Sequence, residues 1–265
     1  MDWEAIPPQI AGIEDTQALT DARQLAIDAV GIRGLRHPVT VADGDDVQHT
    51  VATVRLAVEL PPERRGAHLS RFVALLMEQR SPLSVESLPA FLADMAARLD
   101  AHAAEAEFVF PFFLEKHAPV SGVAGYLDYE VRLFGRLAGG QTAVETGVTV
   151  PVTSLCPCSR EISRYGAHNQ RAHIRVAVRT NAPMSLAELI GTIEAEASAP
   201  LYSLLKRADE KYLTERAYEN PKFVEDTVRD VALRLRSDGR VRSFQVEAEN
   251  FESIHNHSAY AVISG

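Results

Sequence analysis

The sequence predicts an α+β fold made of two tandem ββααββ units with antiparallel sheets, and three observations predict it. Residues 49–60, HTVATVRLAVEL, alternate apolar and polar, as a strand with one buried face does. Leu69, Phe72, Val73 and Leu76, then Leu88, Phe91, Leu92, Met95 and Leu99, recur three and four residues apart, the spacing of amphipathic helices. TVRLAVEL (53–60) matches HIRVAVRT (173–180) in alternation and in its arginine, and each is followed by a proline and helical spacing, the mark of an internal duplication.

In order along the chain, residues 31–60 carry two strands joined at the polar turn DGDD (43–46). The two helices follow, separated near Ser81 and Pro82, and then strands over EFVFPFFLEKH (107–117) and GYLDYEVRLFGRL (125–137). The second unit opens with strands over 142–154 and 173–180, held apart by a long connection. SLAELIGTIEAEA (185–197) reads as a helix, with Ser185 and Glu188 in the arrangement of a capping box. A longer polar helical region carries Leu201, Leu204 and Leu205, then Val224, Val228, Val231 and Leu235, with a break expected at Pro221. Strands over 240–251 and 257–264 close the chain. The expected organisation is an N-terminal extension (1–30), a first unit (31–139) and a second unit (140–265) carrying most of the chemistry.

With 265 residues, 46% of them hydrophobic, the chain can fill one large core or two ordinary ones. No apolar run approaches the roughly 20 residues needed to cross a bilayer, and the start, MDWEAIPPQIAG, lacks the basic-then-apolar pattern of a secretion signal, so a cytoplasmic protein without a membrane partner is expected. A net charge of -9 argues against a nucleic-acid partner. Arg160, Arg164, Arg171 and Arg175 nevertheless cluster locally, which suits a small anionic ligand, and Arg171 is taken as a substrate-binding candidate.

SLCPCSREISRYGAHNQR (154–171) holds the only two cysteines, Cys156 and Cys158. Thiols two positions apart rarely reach disulfide geometry, so both are expected free. In a reducing compartment a free thiol serves as a metal ligand, as a nucleophile or as a small buried hydrophobe. Where the first unit has only DGDD, the second has this long connection, and its final hairpin carries ENFESIHNHS (249–258). Thiolate, imidazole and carboxylate from Cys156 or Cys158, His168, Glu210, Glu252, His255 and His257 form a donor set for Zn, Fe or Mn, although no local motif has the spacing of a closed structural zinc site. Glu225, in KFVEDTVRD, has a carboxylate that can accept two hydrogen bonds from the amide N–H and exocyclic amine of a guanine edge.

The cysteine segment, ENFESIHNH (249–257) and the duplicated pattern together resemble the prokaryotic type IB GTP cyclohydrolase I family, from about Gly31 to the end of the chain. The resemblance implies a tunnelling fold, in which each unit supplies a four-stranded antiparallel sheet with two helices on one face. Subunits then close into an oligomeric barrel, a homotetramer with active sites at subunit interfaces. It implies conversion of GTP and water to 7,8-dihydroneopterin triphosphate and formate, the first step towards tetrahydrofolate and some deazapurines. It implies Cys156, Glu210 and His255 as ligands of a divalent transition metal (Zn, Mn or Fe), and Cys158 as a second thiol that contacts the purine and is needed for turnover. His168 corresponds to an active-site histidine close to the metal, either ligand or acid/base. Glu225 corresponds to the guanine anchor, and Glu252 and His257 to acid, base or supporting groups. Two other readings are an NADPH-dependent nitrile reductase of the same fold, which needs no metal, and a non-catalytic purine- or pterin-binding protein.

Overall fold

The computed structural model describes residues 15–17 and 19–265. Its first half runs β1 (Ile27–Asp43), β2 (Asp46–Leu60), α1 (Leu69–Glu78), α2 (Leu88–Leu99), β3 (Ala104–His117) and β4 (Ala124–Ala138). The order is the one expected from periodicity, with β1 starting at Ile27, inside the segment assigned to the N-terminal extension; much of that extension lies outside the described residues. Gly44 turns the first hairpin with φ +61°.

The second half runs β5 (Gln141–Leu155), α3 (Pro157–Ile162), β6 (Asn169–Thr180), α4 (Leu186–Ala195), β7 (Ala199–Pro200), α5 (Arg207–Glu219), α6 (Val224–Ser237), β8 (Val241–Asn250) and β9 (Ala259–Ser264). It differs from a plain ββααββ unit. The polar helical region breaks at Asn220 and Pro221, as expected, but the stretch with Leu201, Leu204 and Leu205 is not helical. Pro200 ends a two-residue strand on β5, and α5 starts only at Arg207, where the Asp209 carboxylate accepts from the Lys206 N–H at 2.8 Å. Ser185 caps α4 by accepting from Glu188 N at 3.0 Å. Glu188 does not complete the box, because its carboxylate pairs with Arg240 instead.

Strand order follows chain order, β1-β2-β3-β4-β5-β6-β8-β9, in one nine-stranded antiparallel sheet, with β7 paired to β5. The halves meet at Gly139 and Gly140, with φ +57° and +74°, between the paired residues Ala138 and Gln141. Two positive φ values in a two-residue loop are the twist-matched turn that glycine adopts without strain. The sheet therefore passes from one unit into the other without a break.

Residues of one parity on every central strand are buried: Val54 and Leu56, Phe108 and Phe110, Val131 and Leu133, Val148 and Val150, Ile174 and Val176, Val246 and Ala248. They form a single cluster with Phe72, Leu88 and Met95 of the first helical pair and Leu189, Ile193, Val228 and Val231 of the second. Each such aliphatic or aromatic side chain contributes about 1.5–3 kcal/mol when taken from water. Val73, expected on the buried face of α1, is 40% exposed, and Leu75 takes its place. Gly135 lets α2 approach β4, since a Cβ there would lie 2.7 Å from Leu92 Cδ1.

The opposite parity carries ion pairs. Arg55 of β2 reaches Glu105 of β3 at 3.1 Å, and its counterpart in the repeat, Arg175 of β6, reaches Glu247 of β8 at 2.6 Å. The duplicated arginine thus does the same work twice, joining neighbouring strands across the face that the helices leave bare.

Candidate functional site

The cysteine segment is a closed turn between β5 and β6. Cys156 keeps the extended backbone of β5 (φ -72°, ψ 118°) and caps α3, its Sγ accepting from the Ser159 N–H at 3.5 Å. Pro157 fits the first helical position, where its fixed φ is favourable and no N–H is needed. The Cys156 N–H donates to the His168 carbonyl at 3.1 Å, and the Ser159 hydroxyl accepts from the His168 N–H at 3.0 Å while donating to the Cys156 carbonyl at 3.3 Å. Gly166, at φ +109°, reverses the chain so that these bonds can close. Both thiols are free; Cys156 is half-buried and Cys158 exposed.

His168 points away from solvent, with its side chain 14% exposed. Its Nδ1 lies 2.9 Å from Gln170 Oε1 and 3.9 Å from Glu252 Oε2. An amide oxygen only accepts, so Nδ1 carries a hydrogen, and in the neutral ring the lone pair lies on Nε2. Gln170 is itself buried, because β6 begins at Asn169 rather than at His173 and position 170 falls on the core parity. Sequence reasoning missed Gln170 and Ser159. The signal available for Gln170 was a polar residue in phase with Ala172 and Ile174.

The loop from Phe251 to Ser258 starts beside the same strand. Phe251 N–H donates to the Arg171 carbonyl at 3.0 Å, and its ring meets His173 edge to face at 4.9 Å. Further along, the His255 and His257 rings stack 5.1 Å apart in the exposed part of the loop. Burial pulls the His173 imidazole below its ordinary range, assisted by the Arg175 charge.

Two helices flank the turn. Arg160 of α3 lies over the Tyr218 ring of α5 at 4.9 Å, and Leu155, Ala199 and Ala217 form a small second core under it, with Leu213 and Ala167 packed against them. A groove of about 340 Å³ runs between Tyr165–Asn169 and the Thr214, Tyr218 face of α5. Glu210 stands one turn before Thr214, whose hydroxyl donates to the Glu210 carbonyl at 2.8 Å. The link between α5 and α6 is fastened to the end of β5, where the Lys222 N–H donates to the Leu155 carbonyl at 3.1 Å. That bond brings Glu225, itself exposed in the first turn of α6, to the same end of the sheet as Cys156.

The structure thus links Cys156 to His168 through the backbone and the His168 ring to Glu252, and it places Glu210 and Glu225 on the two flanking helices. Among the described residues of one chain, no three His, Cys, Asp or Glu side chains gather closely enough to hold a metal ion. The basic cluster divides. Arg175 is committed to Glu247 and Glu249, whereas Arg160 and Arg171 make no ion pair among the described residues.

Residues 13–261 match the family model described as type I GTP cyclohydrolase folE2. The chain is 56% identical over 250 residues to GTP cyclohydrolase FolE2 of Burkholderia ambifaria (strain MC40-6), covering 94% of this chain and 93% of that protein. It is 52% identical over 259 residues to GTP cyclohydrolase FolE2 of Nitrosococcus oceani, covering 97% of each. Among solved structures, a highly active mutant of Bacillus sp. TB-90 urate oxidase superposes with TM-score 0.52 at 6% identity, over 90% of this chain and 99% of that one, a likeness of tunnelling fold alone.

Proposed function

The chain belongs to the type I GTP cyclohydrolase FolE2 family, and on that footing we propose that it converts GTP and water to 7,8-dihydroneopterin triphosphate and formate. The observation that carries this is a match running through both halves and the whole site segment, rather than through one motif.

The donor chemistry fits a divalent transition metal: a half-buried thiol at Cys156, carboxylates at Glu210 and Glu252, and imidazoles at His168 and His255. Cys156, Glu210 and His255 are proposed to hold it; when bound, a Zn, Mn or Fe ion supplies Lewis-acid polarisation of water. The remaining groups act on substrate. Glu225, exposed at the start of α6, accepts from the guanine N1–H and 2-amino group. Cys158, exposed beside the turn, contacts the purine. His168 offers Nε2 as the basic nitrogen, its ring fixed by Gln170, and Glu252 stands close enough to stabilise a charged imidazole. Glu252 and His257 exchange protons at the opening ring, and Arg171 and Arg160 face the triphosphate.

A second copy is proposed to complete the site, within a homotetrameric barrel. Three features support this. Donors are split between separate elements of one chain. Ile162, Tyr165 and Ile254, at 85%, 86% and 65% exposure, rim the site with uncovered apolar surface. Among the described residues β9 ends the sheet with an unpaired edge, and the outer edge of β1 is bonded at Thr40 and Ala42, to Leu83. Two free thiols support a reducing compartment, the cytoplasm; among the described residues no helix is long and apolar enough to cross a membrane.

The test is incubation of purified protein with GTP and a panel of divalent metals, following pterin fluorescence and formate. Activity abolished by a chelator and restored by Mn or Zn is the expected result. Absence of both products with every metal would overturn the proposal.

A further inference from the structure

We propose that Asp209 is a positioning residue for its neighbour Glu210, and that the β3–β4 hairpin of the first half is the mount on which α5 is set. The inference rests on the reading of Glu210 as a metal-binding carboxylate.

Asp209 has 0% exposure, and its carboxylate accepts four hydrogen bonds. Oδ1 takes the Val120 and Ser121 N–H groups, each at 2.8 Å, and Oδ2 takes the Ser121 hydroxyl at 2.6 Å and the Lys206 N–H at 2.8 Å. Three of these four donors belong to the turn between β3 and β4, in the other half of the chain. The fourth is the residue preceding α5. One side chain therefore both starts the helix and fixes it to the first half.

The segment leading into α5 is pinned twice more to the same hairpin. Lys116 Nζ, at the end of β3, donates to the Leu201 carbonyl at 2.7 Å and to both oxygens of Glu194, at 2.6 and 2.8 Å. Gly125 of β4 lies so close to the Leu201–Lys206 stretch that a Cβ would meet Ser203 Oγ at 2.7 Å. These fixtures bear on one element, and that element carries an exposed, proposed ligand one residue after the clamp. A helical side chain inherits the setting of its backbone, so the aim of Glu210 depends on where Asp209 seats the first turn. The first half, which shows no chemistry of its own in sequence, thereby contributes to the site.

Asparagine separates the role from simple burial. In Asp209→Asn, Oδ1 still accepts from Val120 and Ser121, but an amide NH₂ replaces Oδ2 and meets the Lys206 N–H donor to donor. With full-length protein in its native oligomeric state, Mn²⁺ affinity is titrated against a fluorescent chelator without GTP, beside kcat, KM and melting temperature. Asp209→Asn is expected to weaken Mn²⁺ binding about 10–100-fold, the usual cost of losing a group that orients a ligand. Its kcat should recover at saturating Mn²⁺ with KM for GTP unchanged. Ser121→Ala, which leaves both backbone bonds, should shift affinity in the same direction by less, and it decides the matter if the asparagine variant does not fold. Wild-type Mn²⁺ affinity in the folded variants, with only the melting temperature lowered, would overturn the proposal. Glu210→Gln tests the underlying reading separately: loss of Mn²⁺ affinity supports it, and full retention removes Glu210 as a ligand whatever the Asp209 variants do.

Discussion

The Cys156 N–H donates to the His168 carbonyl across 3.1 Å, so the thiol and the imidazole stand at the two ends of one closed turn. Ser159 locks that turn from inside, bonded to the backbone of both residues. The side chains that differ most in chemistry are thereby set by the same few backbone bonds.

Cys156→Ser is expected to fold normally, because serine is a strong helix cap and takes the place of Sγ at the Ser159 N–H. It should lose bound metal. Cys158→Ser should keep metal and lose turnover, since that thiol is exposed and caps nothing. Metal content per subunit and pterin formation measure the two; equal metal in both variants would contradict the division.

Gln170→Ala removes the acceptor that holds the His168 Nδ1 hydrogen. Turnover should fall about 10–100-fold, in line with the loss of other groups that orient functional histidines. Imidazole ¹⁵N shifts should change from a single tautomer to a mixture, and an unchanged spectrum would remove Gln170 from this role.

Glu194→Ala should destabilise the fold by about 3–5 kcal/mol, since it removes the only carboxylate that faces the Lys116 ammonium among the described residues, a side chain 12% exposed that keeps its bond to the Leu201 carbonyl, and it strands the Tyr129 hydroxyl. Burial already draws the Lys116 pKa below 10.5 in spite of Glu194. Replacing both, as Lys116→Met with Glu194→Gln, should cost less, because glutamine still accepts from Tyr129. Urea denaturation of the three proteins makes the comparison.

Stability should fall in acid. Asp209, Asp238, Glu188 and Glu249 all have carboxyls held below their ordinary values, 3.8 for aspartate and 4.5 for glutamate. Arg240 is the main cause for Asp238 and Glu188, and Arg175 for Glu249. The unfolded chain binds protons first as pH drops, so the stabilisation is complete above those values and is lost below them. Unfolding midpoints between about pH 6 and 2 should show the decline, with a shallower slope in Asp209→Asn.

Much of the frame was legible in the residues. Leu88, Phe91, Leu92, Met95 and Leu99 announce α2 because a helix returns to the same face every three or four residues. Arg55 and Arg175 announce the repeat. Val73 misled, since Leu69, Val73 and Met77 form an exposed apolar stripe on α1 that periodicity does not distinguish from the buried one. Glu188 misled for a different reason: the capping spacing was present, but Arg240, 52 residues away, competes for the carboxylate.

By itself the sequence determined most of the strands and helices, though neither α3 nor the non-helical stretch before α5, together with which strand parity is apolar and which residue types are available for chemistry. Those properties follow from the local geometry of the backbone, with periods of two and 3.6 residues. Only the tertiary structure decided that Cys156 and His168 close one turn, that Gln170 sets the histidine ring, and that Asp209 ties the helix of Glu210 to a hairpin from the other half. Each of these depends on the register of strands and on contacts between segments far apart in the chain, and a hydrogen bond acts over about 3 Å of space whatever the separation in sequence.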